Sequence, residues 1–163
     1  MSPHEIARLL DVHGPPLMMY ARQWCPAAED VVQEAFLKLV RLGQPPREVV
    51  PWLYRVVRNG AIDFGKTARR RQQRESAVAR PERWFVEPAV DGLDAETAIA
   101  ALRKLPVDER EVIVAHLWGG LTFEQIAQVA GCSASSAFRR FSTGIDALRA
   151  ELGILCESRS SNA

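Results

Sequence analysis

An all-α chain, built as two small helical domains joined by a flexible linker and with a helix-turn-helix in the second, is what this sequence predicts. Three observations predict it. Apolar residues return at helical spacing in successive stretches from Ile6 to Leu148. Glycine and proline at 43–46, and an aperiodic stretch from Glu75 to Gly92 with Pro81 and Pro88, separate those stretches. A three-residue turn, Gly131 to Ser133, joins two of the later helical patterns tightly. The 163 residues, 47% of them apolar, suffice for one domain or two small ones.

Residues 5–24 predict two short helices broken at Gly14, Pro15 and Pro16, with Ile6, Leu9 and Leu10 inward in the first and Leu17, Tyr20, Ala21 and Trp24 in the second. A third helix runs from Ala27 to about Leu42; Glu29 and Asp30 suit the positive end of its dipole, and Val32, Ala35, Phe36 and Leu39 form its core stripe. Its other face, Asp30, Gln33, Glu34, Leu37 and Arg41, mixes carboxylates with one large aliphatic side chain. That composition fits a docking surface for a partner protein, and equally a solvated helix face.

The fourth helix, Pro51 to Arg74, is the most informative. Leu53, Val56, Val57, Gly60, Ala61 and Phe64 make its expected buried stripe, while Asn59, Asp63, Lys66 and Arg70 follow one another along a polar side. From Lys66 to Arg74 five of nine residues are cationic and none is acidic, so this end suits an anionic partner. In the following linker, Trp84 and Phe85 either pack onto a domain or form a contact that orders only in a complex.

Four helices are predicted in the second domain. Asp94 to Leu105 turns Ala98, Ala101 and Leu102 inward; Val107 to Trp118 buries Val112, Ile113, Ala115 and Leu117 and ends at Gly119 and Gly120. Glu109 and Glu111, near His116, read as helix surface. Thr122 and Gln125 form a capping box, with Leu121 and Ile126 at the staple positions. After Gly131, Ser133 caps a last helix whose Ala137, Phe141, Ile145 and Leu148 face the core, leaving Ser135, Ser136, Arg139, Arg140 and Thr143 for DNA.

The formal net charge of +1 averages the acidic segment around Glu29 to Glu34 with the basic block. No apolar run approaches the ~20 residues of a membrane span and the N-terminus lacks signal-peptide order, so no membrane insertion and a cytoplasmic location are expected. Cys25, Cys132 and Cys156 are read as reduced thiols, although a sequence-distant pair could meet in space. There is no nucleotide-cradling glycine loop, no metal-ligand cluster and no nucleophile with an identifiable base; neither an enzyme nor a metal or cofactor is expected.

AEDVVQEAFLKLVR, PWLYRVVRNGAIDFGKTARRR and LPVDEREVIVAHLWGGLTFEQIAQVAGCSASSAFRRFSTGIDALRAEL occur in that order over nearly the whole chain. Together they resemble an extracytoplasmic-function (ECF) RNA polymerase sigma factor of the sigma-70 family. The resemblance implies region 2 at 1–75, a linker at 76–92, region 4 at 93–153 and a tail at 154–163. It implies a transcription initiation factor that binds RNA polymerase core and promoter DNA, with an anti-sigma factor as regulator. Asp30, Gln33, Glu34, Leu37 and Arg41 would meet polymerase; Asn59, Asp63, Lys66, Arg69, Arg70 and Arg71 the minus-ten element; Ser135, Ser136, Arg139, Arg140 and Thr143 the minus-thirty-five element. Melting of the minus-ten element would make Trp52 and Tyr54 candidates for stacking on unpaired bases, with Trp52 at least as well suited to the core. Gly65 stands where the family usually has a larger residue, and Gly60 and Gly65 are both expected to soften their helix. Phe138, Ser142 and Thr143 stand where relatives carry basic residues, which keeps open a sigma-like interaction module that binds polymerase or a regulator without reading DNA.

Overall fold

The computed structural model describes residues 1–74 and 95–153, and every described element is an α-helix: α1 (Pro3–Ala21), α2 (Ala28–Arg41), α3 (Val49–Arg74), α4 (Ala95–Lys104), α5 (Val107–Leu117), α6 (Phe123–Ala130) and α7 (Ala134–Glu151). Helices α1, α2 and α3 pack on one another as a first unit, and α4, α5 and α6 gather around α7 as a second. The units also touch, α3 against α6 and α1 against α5, so that one apolar core continues from Leu17, Leu53 and Val57 to Ile113, Ile126 and Ala137. Trp84, Phe85 and Cys156 lie outside the described residues.

Helix α1 is one helix where the sequence predicts two. Pro15 and Pro16 sit inside it, removing the bonds that the carbonyls of Asp11 and Val12 would accept. Both of those residues are exposed, so water can take over. The helix is anchored on either side of the prolines: Ser2 and Glu5 form a capping box at the start, and Leu17, Tyr20 and Ala21 are fully buried beyond. Leu10, expected inward, is exposed.

Helix α2 buries Val32, Ala35, Phe36 and Leu39 as its periodicity predicts. Helix α3 buries Leu53, Val57 and Ala61, but Phe64 is 41% exposed, because the packed side past Ala61 runs through Gly65, which meets the Trp24 carbonyl, and Phe64 lies about 100° round the helix from it. Gly65 is also a packing residue. A Cβ there would lie 2.5 Å from the carbonyl oxygen of Trp24, so the turn after α1 closes onto α3 only because this side chain is missing.

In the second unit the Thr122 and Gln125 capping box is formed, and Gly131 ends α6 in the left-handed region at φ 71°, ψ 39°. Ser133 then caps α7, its hydroxyl accepting from Ser136 N at 3.1 Å. Two expectations for α5 fail: Leu117 is 54% exposed, and Glu111 is buried. Residues 111 to 115 are all buried, because α5 is enclosed by α1, α6 and α7 and has no single wet face there.

Candidate nucleic-acid interface

Along α3 the buried stripe leaves a continuous outer side. Asn59, Asp63, Lys66, Arg69, Arg70 and Arg71 are all exposed, and among the described residues no carboxylate pairs with these cations. Lacking internal partners, they can take phosphate oxygens without first breaking an ion pair. Arg55 lies one turn before Asn59 on the same side and is also exposed. The sequence reading passed over it, although the spacing 55, 59, 63 carries the signal. Of the two aromatic candidates only Trp52 remains, half-buried on the Asn59 side. Tyr54 is fully buried with its ring 4.9 Å from Tyr20, so it cannot stack on a base.

The turn at Gly131 sets α7 across α6, and its outer face divides. Ser135, Arg139 and Thr143 are exposed. Ser136 is engaged locally, its hydroxyl 2.9 Å from that of Ser133 and its backbone N donating to the same cap. Arg140 is half-buried, with Nη2 3.5 Å from Asp108 Oδ2 on α5, a pairing that draws it off the outer face. Phe138 is 56% exposed yet held in place, its ring edge-on to Phe123 at 5.4 Å. Phe123 in turn stacks on His116 at 4.5 Å, and His116 Nδ1 donates to the Leu121 carbonyl at 2.7 Å. This aromatic rack holds α5, α6 and α7 in register.

On α2, Asp30, Gln33, Glu34, Leu37 and Arg41 are all exposed, Leu37 by 48%. Val40 and Leu42 extend its apolar component toward a groove lined by Met1, Pro3, Ile6 and Pro45. Sequence reasoning missed this extension because it counted a single exposed aliphatic residue.

A polar cluster that the sequence did not reveal lies where the two units meet. Glu111 of α5 is 1% exposed; its Oε1 accepts from the Tyr20 hydroxyl at 2.6 Å and from Arg58 Nε at 2.6 Å, and its Oε2 lies 3.4 Å from Arg58 Nη2. The Arg58 guanidinium also lies 5.6 Å from the centre of the Trp24 ring. Burial, followed by the negative charge of Glu111, pushes the Tyr20 phenol well above its ordinary range. Burial works against the Arg58 charge, but the bond and attraction to Glu111 outweigh it and raise its pKa. A clue was present: Glu111 stands three and four residues before Val114 and Ala115, on the side those residues bury.

Among the described residues no helix is long and apolar enough to cross a membrane, and Cys25 and Cys132 carry thiols, not a disulfide.

Comparison with known proteins covers both units. Residues 9–75 match Sigma-70 region 2, and residues 95–148 match Sigma-70, region 4. The sigma factor SigL of Mycobacterium tuberculosis is 31% identical over 158 residues, covering 90% of this chain and 89% of SigL. CarQ of Myxococcus xanthus is 31% identical over 136 residues, covering 78% of this chain and 76% of CarQ. The probable sigma factor RfaY of Xanthomonas campestris is 33% identical over 137 residues, which span 34% of its greater length. Among solved structures, the fold resembles RpoE of Bartonella quintana, crystallised with the anti-sigma factor NepR, at a TM-score of 0.70, 24% identity and coverage of 94% of this chain and 99% of that one. It also resembles CnrH, solved with the cytosolic domain of CnrY, at a TM-score of 0.60 and 24% identity. With region 2 and region 4 in order on an all-α fold, the chain belongs to the ECF sigma factors of the sigma-70 family, which are non-enzymatic transcription initiation factors.

Proposed function

We propose that this sigma factor divides its work among three helix faces: α2 docks on RNA polymerase core, α3 opens and reads the minus-ten element, and α7 reads the minus-thirty-five element. The observation that carries the reading is the exposed, unpaired row on α3, where Asn59 and Asp63 precede Lys66, Arg69, Arg70 and Arg71. An asparagine amide offers both donor and acceptor to the edge of an unstacked base, and the cations beyond it follow the strand. Flipping a base out of the duplex costs a few kcal/mol, which contacts by Asn59 and stacking on Trp52 would offset.

On α7, Arg139 has the freedom to reach a base edge that the Asp108-bound Arg140 lacks, and the edge of Phe138 offers an apolar surface to a thymine methyl. The minus-thirty-five grip is accordingly light in charge and depends on few side chains. The exposed α2 face, acidic at Asp30 and Glu34 and apolar at Leu37 and Val40, suits a partner with a mixed basic and apolar surface. Work in the cytoplasm and control by an anti-sigma factor fit this reading, RpoE of Bartonella quintana having been crystallised with the anti-sigma factor NepR.

Run-off transcription with core polymerase over a promoter library tests the proposal. Promoter-selective transcripts that Asn59→Ala makes less selective are expected. Core binding without any promoter-dependent transcript would instead favour the interaction module that does not read DNA.

A further inference from the structure

A single exposed phenylalanine is ordinary on a protein surface, but the setting of Phe138 is not. It lies one turn into α7, three residues after Ser135 and directly before Arg139, and all three are exposed on the outer strip that follows the Gly131 turn. From Ala134 to Ile145 the only cations are Arg139 and Arg140, and Asp108 draws the second toward α5. A face with so little charge gains little from phosphates. Its selectivity has to come from the edges of bases.

The ring is also held from behind. Phe123 of α6 lies edge-on to it at 5.4 Å, packs against Phe141 at 5.4 Å and stacks on His116 at 4.5 Å. His116 is tied in turn to the Leu121 carbonyl at 2.7 Å. Phe138 therefore keeps 56% of its surface in water while its direction is set by α5 and α6. A side chain oriented in advance loses little freedom on contact, so covering the rest of its apolar surface is favourable. Among base edges in the major groove only thymine carries an apolar group, its C5-methyl. Arg139, exposed and in no ion pair among the described residues, suits guanine O6 and N7. Consecutive Cα atoms lie about 3.8 Å apart and stacked bases about 3.4 Å, so adjacent side chains reach the same or neighbouring base pairs.

We propose that Phe138 is a specificity-determining residue that reads the C5-methyl of one thymine in the minus-thirty-five element, within one base pair of a guanine held by Arg139. The inference rests on the α7 reading above and adds to it the chemical group that is recognised. The ring offers no donor or acceptor to cytosine, adenine or guanine, so it leaves the polar groups of those bases unmet and selects by the methyl alone. Discrimination at that position then depends on apolar contact and not on charge, and it persists when salt has weakened the phosphate contacts.

The test uses holoenzyme assembled from the full chain and RNA polymerase core. Promoters are first selected from a library randomised across the minus-thirty-five region; each thymine of the selected element is then replaced singly by deoxyuridine, which lacks only the C5-methyl. Wild type is expected to lose about fourfold in affinity at one thymine, the effect of one buried methyl group. Phe138→Ala is expected to bind thymine and deoxyuridine equally there while keeping the neighbouring guanine preference. Phe138→Arg is expected to lose the same discrimination and to steepen the slope of log K against log salt by about 0.9. The ratio of thymine to deoxyuridine affinity is taken within each variant, so a fault in folding that weakened both duplexes alike would leave it at the wild-type value. If Phe138→Ala binds neither duplex, Phe138→Arg decides by the same ratio. A selected element in which no thymine shows a methyl effect, or a ratio that the variants retain, would overturn the inference while leaving α7 as the minus-thirty-five reader. Selection of no sequence at minus thirty-five would overturn both.

Discussion

Tyr54 is fully buried, and its hydroxyl has no hydrogen-bond partner among the described residues, while burial pushes the phenol pKa far upward. A buried hydroxyl left unpaired costs about 1–3 kcal/mol, so Tyr54→Phe should stabilise the closed chain by roughly 1 kcal/mol, read as a higher midpoint in urea. A lower midpoint would show that the hydroxyl is satisfied after all. Gly65 gives the opposite sign. Alanine is the better helix former by about 1 kcal/mol, but its methyl would meet the Trp24 carbonyl at 2.5 Å, and backbone cannot yield as a long side chain can. Overpacking of this kind costs about 1–3 kcal/mol, so Gly65→Ala should lower the melting temperature. From the sequence, Gly65 counted only as a weak helix residue, because the carbonyl that requires it lies forty-one positions away in the turn after α1.

Helix α3 was the element most legible beforehand. Its apolar stripe, its exposed Asn59 and Asp63 row and its cationic end all follow from a period of 3.6 and the composition of a single stretch. Tyr54 and Phe64 broke the pattern, in opposite directions, because the depth of burial depends on where neighbouring helices begin and end. The phosphate role is tested through salt. With each contact adding about 0.9 to the slope of log K against log salt, Arg70→Ala with Arg71→Ala should flatten the promoter-complex slope by about two units. An unchanged slope would remove these arginines from the DNA backbone. On α7 the pattern was less informative, since a count of cations could not show that Arg140 is drawn to Asp108 and that Ser136 is engaged by the helix cap.

Across the whole molecule, the buried Tyr20, where the two units meet, gives stability a pH dependence. Tyr20 is held neutral between Glu111 of α5 and Arg58 and Tyr54 of α3, with its pKa well above the ordinary value of about 10. A group whose pKa is raised on folding stabilises fully below its unfolded value and loses that contribution as pH rises toward the folded value. The folded chain is therefore expected to keep its stability at neutral pH and to lose it progressively above about pH 10, seen as a falling urea midpoint. Tyr20→Phe should weaken that dependence without abolishing it, because Tyr54 titrates in the same direction. A midpoint that stays constant to pH 11 would show that the phenol does not sense folding.

By itself the sequence determined the all-α class, the helices from α2 onward, the helix-turn-helix at Gly131 and the family, because each rests on short-range periodicity, capping chemistry or local motifs. Those signals act between residues a few positions apart and can be read along the chain. Only the tertiary structure decided that the two units close on each other and that Glu111 is buried between Tyr20 and Arg58, ninety-one and fifty-three positions away. A carboxylate on a helix looks the same in sequence whether it meets water or a matching cation; the difference lies in the packing that brings the cation to it.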